Sequence, residues 1–133
     1  MYLVNYIVCI ITLIIIDAPY LYLNSDLYVQ KTKAISNDKY TNRYYSALIV
    51  YIALALGIIV LAVPQVRKDN WNVMIRDSIF YGGIFGITAY ATFDFTMHFM
   101  FNEWDLMVSV MDTLWGGLLC SLATLFISWI SIM

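Results

Sequence analysis

The chain has 133 residues, of which 62% are hydrophobic and only 12% charged, and its mean hydropathy is +0.78. A soluble chain this short leaves too much of its surface in water to hide such an apolar surplus, so the composition places it in a membrane. A net charge of −2 gives no basic footprint for nucleic acid, and two cysteines set in apolar runs exclude a secreted disulfide scaffold.

Four hydrophobic stretches follow in order. The first runs from about Tyr2 to Leu23, and the second from about Tyr44 to Val63, where Pro64 closes it. The third covers about Ile79 to Phe101 and the fourth about Leu106 to Ile130. Each has roughly the 20 residues that a helix needs to cross the hydrocarbon core. Strand-like alternation is absent, and only a closed barrel would satisfy strand backbones in lipid. The expected fold is all-α, a single transmembrane four-helix bundle over residues 1–133. The first stretch lacks a basic leader and a cleavage context, so it reads as a span and not as a signal peptide.

The connections set the topology. Residues 24–43 form the long one, with Lys31, Lys33, Lys39 and Arg43 against Asp26 and Asp38. The second, Gln65 to Ser78, carries Arg67, Lys68 and Arg76, and its Asp69-Asn70 pair could cap an early-starting third helix. The third, Asn102-Glu103-Trp104-Asp105, is a tight acidic turn that makes a hairpin of the last two helices. Basic residues nearly balance across the two faces, so the lean towards cytoplasmic termini rests on the acidic turn having no Lys or Arg. Trp71, Trp104 and Trp129 sit at span ends, as membrane-interface anchors do, whereas Trp115 falls well inside the fourth span.

The chemistry lies in the carboxyls. Asp17, Asp94 and Asp112 are inside spans, with no Lys or Arg beside them. An ionisable group at a helix centre costs about 2.5–3.5 kcal/mol on insertion scales, so each needs a partner, a proton or water. From the helical rise, Asp17 lies about 10 Å below the first connection, and Asp112 and Asp94 about 10 and 12 Å below the third. In a four-span protein those connections share a side, so the three carboxyls meet at one level. Gly86, Tyr90, Asp94 and His98 recur at four-residue steps, Ser109, Asp112 and Gly116 share a face with Trp115 beside them, and Tyr51 reaches in from the second helix. The expected polar cluster is therefore Asp17, Asp94, Asp112, Tyr51, Tyr90, Thr96, His98 and Trp115, with at least one carboxyl protonated at neutral pH.

Three readings of this cluster stay open. It binds or relays protons or small cations; it only fixes helix packing; or it belongs to a lipid-binding protein or intramembrane enzyme. No catalytic residue is assigned, and no cofactor or metal is expected. One histidine cannot supply paired haem ligands, Asp94, His98 and Asp112 match no strong metal signature, and no nucleophile triad, phosphate loop or paired-cysteine motif is present. Gly82 and Gly86 form a GxxxG step, and Gly116-Gly117 offers a second small surface. Both admit close helix approach, within the bundle or between copies in a homo-oligomer.

The stretch Ala89-Tyr90-Ala91-Thr92-Phe93-Asp94-Phe95-Thr96, then Trp104, then Asp112-Thr113-Leu114-Trp115-Gly116-Gly117, resembles the DUF2177 family of small four-helix membrane proteins. Asp17 near the end of the first helix and Pro64 after the second also fit that family. The resemblance covers essentially the whole chain and implies the four-helix fold, but the family has no assigned activity to carry over. Two departures stand out: Met97 where the family has Asn, and Asp105 where it has Pro after Trp. Abundant Ile, Tyr and Asn with few Ala hint at AT-rich coding and at a divergent or viral member.

Overall fold

A computed structural model describes residues 2–36 and 44–131; Asp38, Lys39 and Arg43 of the long connection lie outside the described residues. The described residues are helical, with short non-helical links at 66–70 and 101–105, and contain no strand. Helix α1 spans Tyr2–Ser36 and α2 spans Tyr44–Gly57, which runs on through a π turn at Ile58–Ala62 and a 3-10 turn at Val63–Gln65. Helix α3 (Trp71–Asp77) continues through a π turn (Ser78–Gly82) into α4 (Gly83–Met100), and α5 spans Leu106–Ser131. These make four helical rods. Three are long and apolar enough to cross a membrane: Leu3–Asn24, Tyr44–Gln65 and Leu106–Ser131.

One boundary differs from that expected. The first helix does not stop near Leu23 but stays helical to Ser36. No Gly or Pro follows Pro19 in that stretch, and Leu, Gln, Lys and Ala are good helix formers. At 35 residues α1 is about 50 Å long, well beyond a bilayer core of about 30 Å. The third rod begins at Trp71, ahead of the apolar stretch at Ile79 and at the cap read from Asp69-Asn70, because the Asn70 side chain accepts the Val73 N–H at 3.0 Å.

Helix α5 is the centre of the bundle. It packs along α4 and the preceding π turn for most of its length, and also against α1. The core joins Cys9 and Leu13 of α1, Leu54, Ala55, Ile58 and Ile59 of the second rod, and Leu119, Cys120, Ala123 and Ile127 of α5. Small residues let α4 and α5 meet backbone to backbone. A Cβ on Gly86 would strike the Gly116 carbonyl, one on Gly82 the Thr124 hydroxyl and the Cys120 carbonyl, and one on Gly117 the Ile87 side chain. Gly116 lies under the Tyr90 ring.

The two ends of the hairpin are held by side chains. At the 101–105 turn, Asp105 accepts the Met107 N–H at 2.7 Å through Oδ1 and the Ser109 N–H at 3.1 Å through its carbonyl. It thereby starts α5, which supplies locally what a proline would at that place. Trp104 is not an exposed interface anchor. It is buried, donates from Nε1 to Ser109 Oγ at 2.8 Å and meets Phe93 edge-on.

At the opposite end, Asp77 Oδ2 accepts from the Arg67 backbone N–H (3.0 Å) and Nε (2.9 Å), and Oδ1 accepts from Nη2 (3.2 Å). This pair closes the 66–70 link onto α3, ahead of the apolar stretch that begins at Ile79. The guanidinium holds the Asp77 carboxyl down, to about 2. A carboxyl lowered on folding stabilises above its unfolded value, near 3.9, and loses that contribution as pH falls through about 2. Thermal stability of the wild type should therefore decline from about pH 4 to pH 2, with a component absent from Asp77→Asn. Parallel curves for the two proteins over that window would remove the pair from the account.

Candidate functional site

Asp17 projects from the middle of α1 into the bundle and is buried. Its Oδ2 accepts the Tyr51 hydroxyl at 2.5 Å, and its Oδ1 accepts Trp115 Nε1 at 2.7 Å. One carboxyl thus ties α1 to α2 and to α5. The indole is fixed in turn by Tyr20, which stacks on Trp115 with ring centroids 4.4 Å apart and planes 5° from parallel. Tyr20 lies one helical turn beyond Asp17, and that spacing was the available signal for it.

Asp94 has a different setting. It is 0% exposed, and neither carboxyl oxygen receives an N–H or O–H from the described residues. What its carboxyl faces is the carboxyl of Asp112, within hydrogen-bonding reach. Two carboxyls bond only if one carries a proton, since an ionised carboxylate accepts and cannot donate. The backbone around Asp94 is locked: its carbonyl accepts Ser109 Oγ at 3.2 Å, and that hydroxyl accepts the Trp104 indole. Asp112 is only half-buried. It borders a recess of about 230 Å³ between α2 and α4, whose other walls are Val50, Leu54, Ala89, Tyr90 and Phe93. The pair is therefore asymmetric, one member sealed and the other on an opening.

Tyr90 lies between the two groups, half-buried and within electrostatic range of Asp17, Tyr51 and Asp112. So Asp17 sits with Tyr51 and Trp115, and Asp94 with Asp112, with Tyr90 in reach of both groups. Thr96 and His98 are not part of it. Both are exposed, and the His98 ring meets the Phe95 ring edge-on with centroids 6.4 Å apart. Thr96 is two residues past Asp94, about 200° round the helix. Each four-residue step also drifts by about 40°, so a stripe drawn from Gly86 to His98 turns through about 120° and leaves the interface.

Among the described residues no three His, Cys, Asp or Glu side chains converge so as to hold an ion. Cys9 and Cys120 are free and buried in the apolar core. Ser109, Trp104 and Tyr20, which position the carboxyls and the indole, were not singled out as a group by sequence. No periodicity marks a contact made across helices.

No curated protein and no solved structure matches this chain. The family described as predicted membrane protein, DUF2177, matches residues 2–129, nearly the whole chain, in agreement with a bundle of apolar helices. The chain belongs to the DUF2177 family of membrane proteins.

Proposed function

We propose that this is a four-span membrane protein in which the Asp94–Asp112 pair holds and relays a proton. The third rod packs along α5 through both α4 and the π turn. A helix that follows a spanning helix along its length spans with it. Residues 2 and 131 then share a side, and the turn at 102–105, without Lys or Arg, faces away from the cytoplasm.

The single observation that carries the relay is Asp94: a buried carboxyl for which, among the described residues, the facing carboxyl of Asp112 is the one group in reach that could donate. A side chain serving only as helix glue would be bonded, as Asp17 is. Buried polar groups left unsatisfied are uncommon, and here a shared proton satisfies both members. Asp112, on the recess between α2 and α4, is the member that exchanges with the outside. Asp94 is the store. A small cation is the less fitting cargo, because hard cations take about six or more oxygen ligands and the pair brings two carboxyls.

The test is proton flux. Reconstituted in liposomes with a pH-sensitive dye inside, the wild type should dissipate a pH gradient. Asp94→Asn, which keeps the shape and removes the exchangeable proton, should lower the rate at least about tenfold. Equal rates in wild type, Asp94→Asn and empty liposomes would reduce the cluster to packing. Sodium or potassium flux without proton flux would instead assign it to a cation.

A further inference from the structure

At the end of the bundle away from the carboxyls, three rods leave a recess of about 250 Å³ lined by Asn5, Ile59, Val63, Pro64, Lys68, Ile127 and Ser131. We infer that this recess is a binding site for an anionic phospholipid, its phosphodiester held by Lys68 and Asn5 and an acyl chain descending along Val63. The inference does not rest on the proton relay, since it concerns other residues at the opposite end.

Its origin is in the helix geometry. The second rod ends in a π turn and a 3-10 turn, Ile58–Ala62 and Val63–Gln65, so its last turns are wide and then tight. Pro64 has no N–H to continue the ladder. The rod therefore breaks off beside the start of α1 and the end of α5 without filling the space between them. The floor is apolar, with Ile59 and Ile127 belonging to the core, and the rim is polar. An apolar floor under a polar rim at the end of spanning helices fits a molecule that is itself part chain, part headgroup. Trp71 and Trp129, stacked with centroids 6.5 Å apart, mark the headgroup level at this same end.

Charge selects the headgroup. Of the basic residues on the 66–70 link, Arg67 is already committed to Asp77 through two side-chain bonds. Lys68, exposed beside it, has no hydrogen bond or ion pair among the described residues. Among the described residues no carboxylate lines the recess. Asp69 borders the neighbouring one, of about 190 Å³, on the other side of Lys68, which makes that the poorer place for an anion. The Asn5 amide adds two N–H donors and Lys68 three, a set suited to phosphate oxygens. Ser131 donates its hydroxyl to the Ile127 carbonyl at 2.7 Å, so towards the recess it can only accept. That suits a headgroup bearing its own hydroxyl, such as glycerol, better than a quaternary ammonium.

The experiment uses the full chain in phosphatidylcholine vesicles doped with either brominated phosphatidylglycerol or brominated phosphatidylcholine, whose bromines quench nearby tryptophan. Trp71 and Trp129 report from the site's own end. The expected result is an apparent affinity about fivefold higher for phosphatidylglycerol, the scale of one lysine near a charged interface. Lys68→Gln should bring the two lipids to parity. Asn5→Ala should reduce the preference by less, and Arg76→Gln, which removes one charge from the neighbouring helix, should leave it. Equal quenching by the two lipids in the wild type overturns the site. So does a preference that survives Lys68→Gln, or one lost equally in Arg76→Gln, which would make it a diffuse surface charge. Competition by millimolar inorganic phosphate would reassign the recess to a free anion and overturn the lipid.

Discussion

Gly86→Leu should unfold or dissociate the α4–α5 hairpin at markedly lower denaturant or temperature, the largest stability loss expected of any single substitution here. At this position the atom in the way is backbone. A Cβ would meet the Gly116 carbonyl oxygen and carbon, and neither can rotate aside. The two helices must separate, and every contact along the seam from Gly82–Thr124 to the Ser109–Asp94 bond weakens with them. Overpacking a tight interior costs about 1–3 kcal/mol when side chains can adjust, so about 3 kcal/mol or more is expected where they cannot. Gly86→Ala sharpens the test. Alanine favours a helix over glycine by about 1 kcal/mol, so a net loss on that substitution shows that the close approach outweighs propensity. Gly57→Ala is the control, because the atoms nearest its Cβ would be the outer end of the Phe85 ring, a side chain that can swing aside where backbone cannot. Detergent unfolding curves for the three variants rank them. Unchanged stability in Gly86→Leu would show that the helices do not meet there.

The apolar stretches and the intramembrane carboxyls were legible in sequence because both are signals of residue type. Twenty apolar residues in a row, or an aspartate among them, announce themselves without knowledge of neighbours. Register was less legible. Thr96 and His98 were grouped with Asp94 by spacing, and the drift of a straight helix carried them out of the interface. Trp104 read as an interface anchor from its place in a turn, yet it folds back to bond Ser109, a pairing that depends on the path of the chain and not on residue type. The division of the three carboxyls into one satisfied residue and one facing pair could not be read at all. Depth along a helix fixes the level at which side chains meet. It does not fix which donors meet them.

That division makes the second large prediction, and it is one of sign. Asp17→Leu and Asp94→Leu make the same chemical change at two buried positions, yet they should move stability in opposite directions. Leucine at 17 strands two donors, the Tyr51 hydroxyl and the Trp115 indole, and severs the link from α1 to both α2 and α5. Each orphaned donor costs about 1–3 kcal/mol in a protein interior, and interhelical bonds in membranes average about 0.6, so a loss of about 1–4 kcal/mol is expected. Leucine at 94 removes a buried carboxyl that, among the described residues, bonds only through the proton shared with Asp112, and replacing a buried polar pair by an apolar side chain is often neutral or stabilising. Leucine is bulkier than aspartate but brings no polar group that needs a partner, and Asp112 keeps its opening between α2 and α4. Stability should hold or rise, while proton flux disappears. A protein that becomes more stable and loses its activity at one residue carries that residue for function, at a standing cost to the fold. Thermal unfolding in detergent and dye-reported flux, measured on the same preparations, decide the matter. If Asp94→Leu unfolds the bundle as Asp17→Leu does, the pair is a structural clasp and the relay is wrong.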